Sequence, residues 1–308
     1  MRPTLRFVSS SPSFDLQSHS TASDGVLEPP EVVALAARAG VQLLALSDHD
    51  TVEGVAAALA AGDRLGVKVI PACELSAVDP EGQDLHILGY GVDHEDRVLG
   101  ERLAEFRADR GRRAERMADA LRGLGFELNE QAIVQRRAEG KPVGRPHLAT
   151  AVVECGANHA RLSDEGLLES GRFLVAYLIE GRPAFRGREV PSVAEAIATI
   201  HAAGGLAVWA HPFWDIPEPA RVLATIDRFC ALGLDGVEAF YVTHTQEQTE
   251  LLADRCVALG LLSTGSSDFH GPEHKLFSRF CAHQLFGRTP RLGGTIGGSS
   301  EAGSSSGR

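Results

Sequence analysis

The stretch FDLQSHSTASDG, residues 14–25, decides how the rest of the chain is read. A short apolar run, Phe14–Leu16, gives way at once to Gln17, His19 and Asp24. The arrangement recurs downstream. LLALSDHD (43–50) ends with Asp48 and His49, and KVIPACE (68–74) ends with Glu74. DLHILGY (84–90) carries His86, LAVWAHP (206–212) leads into His211, DGVEAF (235–240) carries Glu238, and LLSTGSSDFH (261–270) ends with Asp268 and His270. These runs predict seven strands, at Phe14–Leu16, Val41–Ser47, Val67–Pro71, Leu85–Tyr90, Leu206–Ala210, Gly236–Phe240 and Leu261–Gly265. Each is short and bounded by Gly, Pro or Asp.

Helical patterns fill the gaps. Pro29–Ala39 opens on two prolines and is followed by Gly40, the usual asymmetry of helix ends. Thr51–Leu65 offers Thr51 as an N-cap, and Ser192–Ala203 offers Ser192 with Glu195 three residues on, a capping box. Glu218–Leu232 and Gln246–Leu259 follow, closed by Gly233 and Gly260. Strand–helix alternation predicts an α/β fold with parallel strands and helices outside. Parallel strands aim their C-terminal ends at one face, which in a β/α barrel carries the active site.

Residues 95–190 break the rhythm. Arg102–Leu124 reads as a long helix, Pro146–Cys155 and Glu165–Glu180 as shorter ones, and no strand is evident. The expected organisation is a barrel in two parts, 13–95 and 190–287, around a mostly helical insertion at 96–189. Residues 289–308, dominated by Gly and Ser, are expected to be disordered.

A lone His or Asp after a strand is ordinarily a turn residue or a helix cap. Five histidines and three carboxylates converging on one barrel end are another matter, because burial without counter-charge would be costly. A multinuclear divalent-metal cluster resolves the conflict, since mixed imidazole and carboxylate ligands suit Mn, Fe or Zn. The chain has 308 residues and a net charge of −11. That balance argues against a broad duplex-binding surface, though not against a small anionic substrate. No apolar run approaches the ~18–20 residues that span a bilayer. The N-terminal stretch lacks a long apolar segment of the kind a secretory signal needs. Five scattered cysteines without a C-x-x-C suggest a reducing compartment, and hence the cytoplasm.

DLQSHSTASDG, LSDHDT, Cys73–Glu74, DLHILGY, the AHP at 210–212 and the SDFH at 267–270 together resemble the PHP (polymerase and histidinol phosphatase) metallohydrolases. The resemblance implies a distorted (β/α)7 barrel with two or three divalent ions, Mn2+, Zn2+ or Fe2+. It implies metal ligands Gln17, His19, Glu74 and Asp268 for one ion, Glu74, His86 and His211 for a second, and Asp24, His49 and His270 for a third. Glu74, as the bridging carboxylate, His211 and Asp268 are the expected catalytic residues. GRPHLA at 144–149 and ECG at 154–156 resemble the branch with a helical insertion. That branch includes 3′,5′-nucleoside bisphosphate phosphatases and phosphoesterases of RNA ends.

The implied activity is hydrolysis of a phosphate monoester of a small nucleotide by metal-activated water. Arg145 and His147 are expected to grip a second phosphate, with Arg186 and Arg188 as weaker candidates and Trp209 and Phe213 as candidate stacking partners for a base. The family pattern has His-x-His where this chain has Gln17-Ser18-His19. A carboxamide oxygen binds a divalent ion less tightly than an imidazole. Alternative readings are an exonuclease of short RNA or DNA ends, a weakly active metal-dependent nucleotide-binding protein, and an amide or lactone hydrolase. Neither a duplex nor a membrane is an expected partner.

Overall fold

Each of the seven apolar runs becomes a strand of one sheet. The computed structural model describes residues 13–138, 143–187 and 191–297. Strands β1 (Phe14–Asp15), β2 (Leu43–Leu46), β3 (Lys68–Val78), β4 (Asp84–Tyr90), β5 (Leu206–Trp209), β6 (Gly236–Tyr241) and β7 (Leu262–Ser266) lie side by side in chain order. The backbone N–H of Leu16 donates to the carbonyl of Gly265 at 3.1 Å, and Ser18 bridges to Phe269. These contacts bring the first strand to the last, so the sheet is nearly closed into the distorted (β/α)7 barrel.

The strands are not all parallel. β1–β3 run together, as do β5–β7, but β4 is antiparallel to both of its neighbours. The reason is local. β3 runs on to Val78, and Asp79 then makes a tight turn, its Oδ1 accepting from the N–H groups of Glu81 (2.7 Å) and Gln83 (3.2 Å). Gly82 takes φ +86°, open to glycine at no steric cost. No helix intervenes, so the chain returns as a hairpin. The start of β4, with His86, therefore lies at the same end as the C-terminal ends of its neighbours.

Helices α1 (Pro29–Arg38) and α2 (Val55–Leu65) follow β1 and β2. α2 begins later than expected. Thr51 is not its cap, because the hydroxyl of Thr51 takes the N–H of Glu53 in a turn and Gly54 precedes the helix. Between β4 and β5 come α3 (Arg97–Gly123), α4 (Glu130–Ala138), α5 (Arg145–Val153), α6 (His159–Glu165) and α7 (Ser170–Tyr177). The helix expected over 165–180 is shorter, Ser170–Tyr177 only, because Gly166 at φ +70° ends α6 at Glu165 and the chain turns before α7 begins. The second barrel part adds α8 (Val193–Ala202), α9 (Pro212–Asp215), α10 (Pro219–Ala231), α11 (Gln246–Leu259) and α12 (Gly293–Gly297). The capping box of α8 is present: the Ser192 hydroxyl accepts from the N–H of Glu195 and Glu195 accepts from the N–H of Ser192.

Alternate strand residues, among them Leu16, Ala45, Ala72, Leu88 and Val208, fill the barrel interior. The helices between β4 and β5 bury a separate core, including Met117, Leu121, Phe126, Leu148, Val152 and Phe173. α3 joins the two. Its first half packs Leu99, Leu103 and Phe106 against the barrel layer, and its second half packs Ala114, Met117 and Leu121 into the helical core. At about 1.5 Å per residue this one helix spans roughly 40 Å.

The tail expected to be disordered from Thr289 is ordered as far as Gly297. Arg291 pairs with Ser263, and the Lys68 ammonium donates to the carbonyl of Ile296 at 2.9 Å. The Ile296 side chain is fully buried against the barrel interior and Leu292 packs beside it, and these two apolar anchors fix a segment rich in Gly and Thr. Residues 298–308 and 1–12 lie outside the described residues. No helix among the described residues is long and apolar enough to cross a membrane.

Candidate metal centre

The polar groups that follow the strands meet at one end of the barrel. Glu74 sits inside β3, and His49, just beyond β2, bridges to it through the backbone. His86 lies near the start of β4. His211 and Asp268 come directly after β5 and β7, with φ of +30° and +53°. Such backbone is uncommon for residues with a side chain, and here it occurs at two residues of the cluster. Asp48 is tied into the loop that carries Asp24: it accepts from the Ser20 N–H (2.7 Å), the Ser20 hydroxyl (2.7 Å) and the Ser23 hydroxyl (2.6 Å). Gly25 closes that loop. A Cβ there would lie 2.4 Å from the carbonyl oxygen of His19, so only glycine lets the chain fold back under this histidine.

His19 Nε2 is 3.1 Å from Glu74 Oε2 and 3.0 Å from Asp268 Oδ1. His86 Nδ1 and His211 Nε2 approach Glu74 Oε1 at 2.7 and 3.3 Å. Asp24 lies 3.6 Å from both His49 Nε2 and His270 Nε2, and 3.7 Å from His19 Nδ1. Three overlapping sets emerge: His19, Asp24, His49 and His270; His49, Glu74 and His86; and His19, Glu74 and Asp268. Within each set the ligand atoms are all within 4.8 Å of one another. His211 joins the second set through Glu74 and through His86 Nδ1, 3.3 Å from its Nε2.

The donor chemistry fits divalent cations. Both ring nitrogens of His19, Nδ1 of His49 and of His211, and Oδ1 of Asp268 are buried without a well-angled hydrogen bond among the described residues. Buried polar atoms are seldom left so. N and O atoms 3.0–3.7 Å apart are spaced as ligands that share an ion at about 2.0–2.2 Å. Burial pushes Glu74 up, but His49, His86, His19 and His211 outweigh it and hold the carboxyl well below its usual range. For Asp24 burial is likewise outweighed, by His49, His270 and His19, and the carboxyl stays ionised. Burial lowers His49 to about 3, which keeps its imidazole neutral and free to ligate.

Gln17 reaches the cluster in an orientation other than the expected one. Its Nε2 donates to Glu74 Oε2 at 2.9 Å, while its Oε1 lies 3.3 Å from the Ser266 hydroxyl. The oxygen that would ligate an ion is turned toward Ser266, and the amide instead holds the carboxylate of Glu74. Two supporting residues went unassigned in the sequence. The Tyr241 hydroxyl donates to Asp268 Oδ2 at 2.8 Å, which leaves Oδ1 toward His19. Glu238 accepts from the His211 N–H at 2.9 Å and from the Ser266 hydroxyl at 2.6 Å, and burial pushes it up to about 8. No local signal marks Tyr241, whereas Glu238 was visible as a polar residue inside an apolar run.

Beside the cluster is a cavity of about 230 Å3, where Asp24, His49 and His86 face Arg110, Arg113 and Arg145. His147 also lines it; its Nδ1 accepts from the Gly144 N–H at 3.0 Å and burial lowers it to about 4. Asp84 orders two of the guanidiniums, at 2.5 Å from Arg113 and 3.9 Å from Arg145. Arg110 donates to the Ser76 hydroxyl at 2.8 Å. Arg110 and Arg113 were not singled out in the sequence, although their spacing with Phe106 and Met117 places all four on one helical stripe. Arg186 gives its carbonyl to Arg113 Nε, and Arg188 lies outside the described residues. Trp209 is fully buried in the core and presents no face for stacking, whereas Phe213 is half-buried with its ring perpendicular to that of His244.

A family model described as the PHP domain matches residues 15–138. The chain is 36% identical over 259 residues to a 5′-3′ exoribonuclease of Haemophilus influenzae, covering 84% of this chain and 90% of that protein. It is 31% identical over 261 residues to a 3′,5′-nucleoside bisphosphate phosphatase of Chromobacterium violaceum, covering 84% and 88%. Among solved structures, one described as an amidohydrolase from Chromobacterium violaceum, with bound sulfate and no metal, superposes with a TM-score of 0.74 at 28% identity. That match covers 89% of this chain and 95% of the other.

Proposed function

The chain belongs to the PHP domain family, and from that premise we propose that it is a metal-dependent phosphoesterase that removes a phosphate from a small nucleotide such as a 3′,5′-nucleoside bisphosphate. The carrying observation is that four imidazoles and three carboxylates in ligand-spaced sets, with His211 joined to them through Glu74, lie beside a cavity walled by three guanidiniums. His19, Asp24, His49, Glu74, His86, His211, Asp268 and His270 would hold two or three ions, of Mn2+, Zn2+ or Fe2+. When bound, such ions supply a water of lowered pKa and neutralise charge on the phosphoryl oxygens.

The residues of the chain do the positioning. Glu74 offers both carboxylate oxygens to neighbouring sets, with Gln17 fixing its orientation. Tyr241 fixes the orientation of Asp268, and Glu238 fixes the backbone of His211. Arg110, Arg113 and Arg145 face the cluster and suit a second phosphate, because planar guanidiniums bind phosphate oxygens in pairs. Their restraint by Asp84 and Ser76 limits the entropy lost on binding. In this reading 96–189 is a substrate-recognition unit set between the barrel parts 13–95 and 190–287. Five unpaired cysteines accord with a reducing, cytoplasmic setting.

The test is a screen of the metal-reconstituted protein against nucleoside mono- and bisphosphates. Hydrolysis of the bisphosphate in preference to the monophosphate is expected. Arg145→Ala should raise KM for the bisphosphate about tenfold or more and change that for an aryl phosphate less. Equal effects on the two would remove Arg145 from recognition of the second phosphate. A second reading, trimming of short RNA ends, is favoured by a second concavity that borders the same cavity at Arg145 and could take a neighbouring nucleotide. A length series of oligonucleotides separates the two.

A further inference from the structure

A second concavity, of about 590 Å3, shares Asp84, Arg145 and Pro146 with the cavity at the metal centre. The two are therefore neighbours that meet at these three residues. On one side of this groove stand Leu174, Ile179 and Phe185 of the helical unit; on the other stand Trp214 and Asp215. Asp215 Oδ2 lies 3.5 Å from His211 Nδ1, so the groove also touches the cluster from the barrel side. Trp214 is on the four-residue helix α9 and donates its N–H to the carbonyl of His211 at 2.9 Å. Its ring meets Phe277 edge-on, with centroids 5.7 Å apart, and the residue is 52% exposed. A large aromatic residue is thus anchored three positions from a cluster histidine and left half open, in a groove whose lining also includes Leu174, Ile179 and Phe185.

We propose that this groove is the nucleobase subsite, with Trp214 as the stacking surface; the proposal rests on the phosphoesterase reading. A nucleotide with one phosphate at the cluster and another at the arginines has its sugar fixed between them. Its remaining part is flat, apolar on both faces and aromatic, and the groove beside Arg145 offers Leu174, Ile179, Phe185 and Trp214 to those faces, with Gln83, Glu180 and Asp215 in the same lining to meet the polar edge of a base. Stacking on one indole is tolerant of base identity, so the subsite distinguishes nucleotides from sugar phosphates rather than one base from another.

Two readouts test it. The chain has two tryptophans. Trp209 is fully buried and Trp214 is not, so fluorescence that small molecules can quench reports on Trp214. Adenosine 5′-monophosphate is expected to quench this emission, ribose 5-phosphate is not, and W214F is expected to lose the quench. In kinetics, W214A should lower the ratio of kcat/KM for adenosine 3′,5′-bisphosphate to that for ribose 5-phosphate by about tenfold, with W214F keeping most of it. A ratio unchanged in W214A, or equal quenching by both ligands, would overturn the subsite while the phosphoesterase reading stands. Failure of every phosphoester to react, with selective quenching by the nucleotide intact, would overturn the phosphoesterase reading and support the subsite.

Discussion

Gln17 is where this chain departs from the pattern it otherwise follows, and its amide shows what the departure does. With Nε2 on Glu74 and Oε1 beside Ser266, the side chain occupies a ligand position and supplies a hydrogen-bond donor there. Gln17→His replaces that donor with an imidazole. The expected outcome is about one more divalent ion per chain, measured by elemental analysis after desalting; an unchanged count would mean that the wild-type position is already filled. The sequence identified Gln17 as the anomaly but not the direction in which its amide points. That direction depends on Ser266, 249 positions away, and on Glu74, 57 positions away. Tyr241 was hidden for the same reason: its hydroxyl acquires meaning only when Asp268 is brought to 2.8 Å.

Among the elements, α3 carries the greatest consequence for function. Its apolar residues serve two cores in succession, so the helix clamps the inserted helices to the barrel and lays Arg110 and Arg113 over the cluster at the junction. The periodicity made the helix legible, while the partner of each half was not, because a single apolar stripe does not say how many cores it enters. Helix ends were legible where a side chain carries the signal. Ser192 and Glu195 form the predicted box, whereas Thr51 is diverted into a turn before α2 can begin. Ser192→Ala is therefore expected to cost about 1 kcal/mol of stability, read as a lower denaturation midpoint, with kcat/KM unaltered. A midpoint equal to wild type would show that packing of Val193, Ile197 and Ile200 alone sets the start of α8.

At the scale of the whole molecule the cluster ties together strands from both halves of the barrel, since His19, Glu74, His211 and Asp268 come from four of them or their ends. Ions bound there would stabilise the folded chain and have no comparable site in the unfolded one. Removing metal with a chelator should lower Tm by several degrees, and adding back Mn2+ or Zn2+ should restore it; a Tm indifferent to both would argue against ion binding at the centre. The sequence by itself determined the seven strands and most of the helices between them, and it marked the polar residues at the strand ends, because apolar periodicity and strand-end polarity are local properties of the chain. Only the tertiary structure decided that β4 runs backward through the Asp79 turn, that Ile296 pins the tail, that Arg110 and Arg113 face the cluster, and that Trp214 rather than Trp209 is open to a ligand. Each of these depends on what distant segments place opposite a side chain, and no spacing within a single element records that.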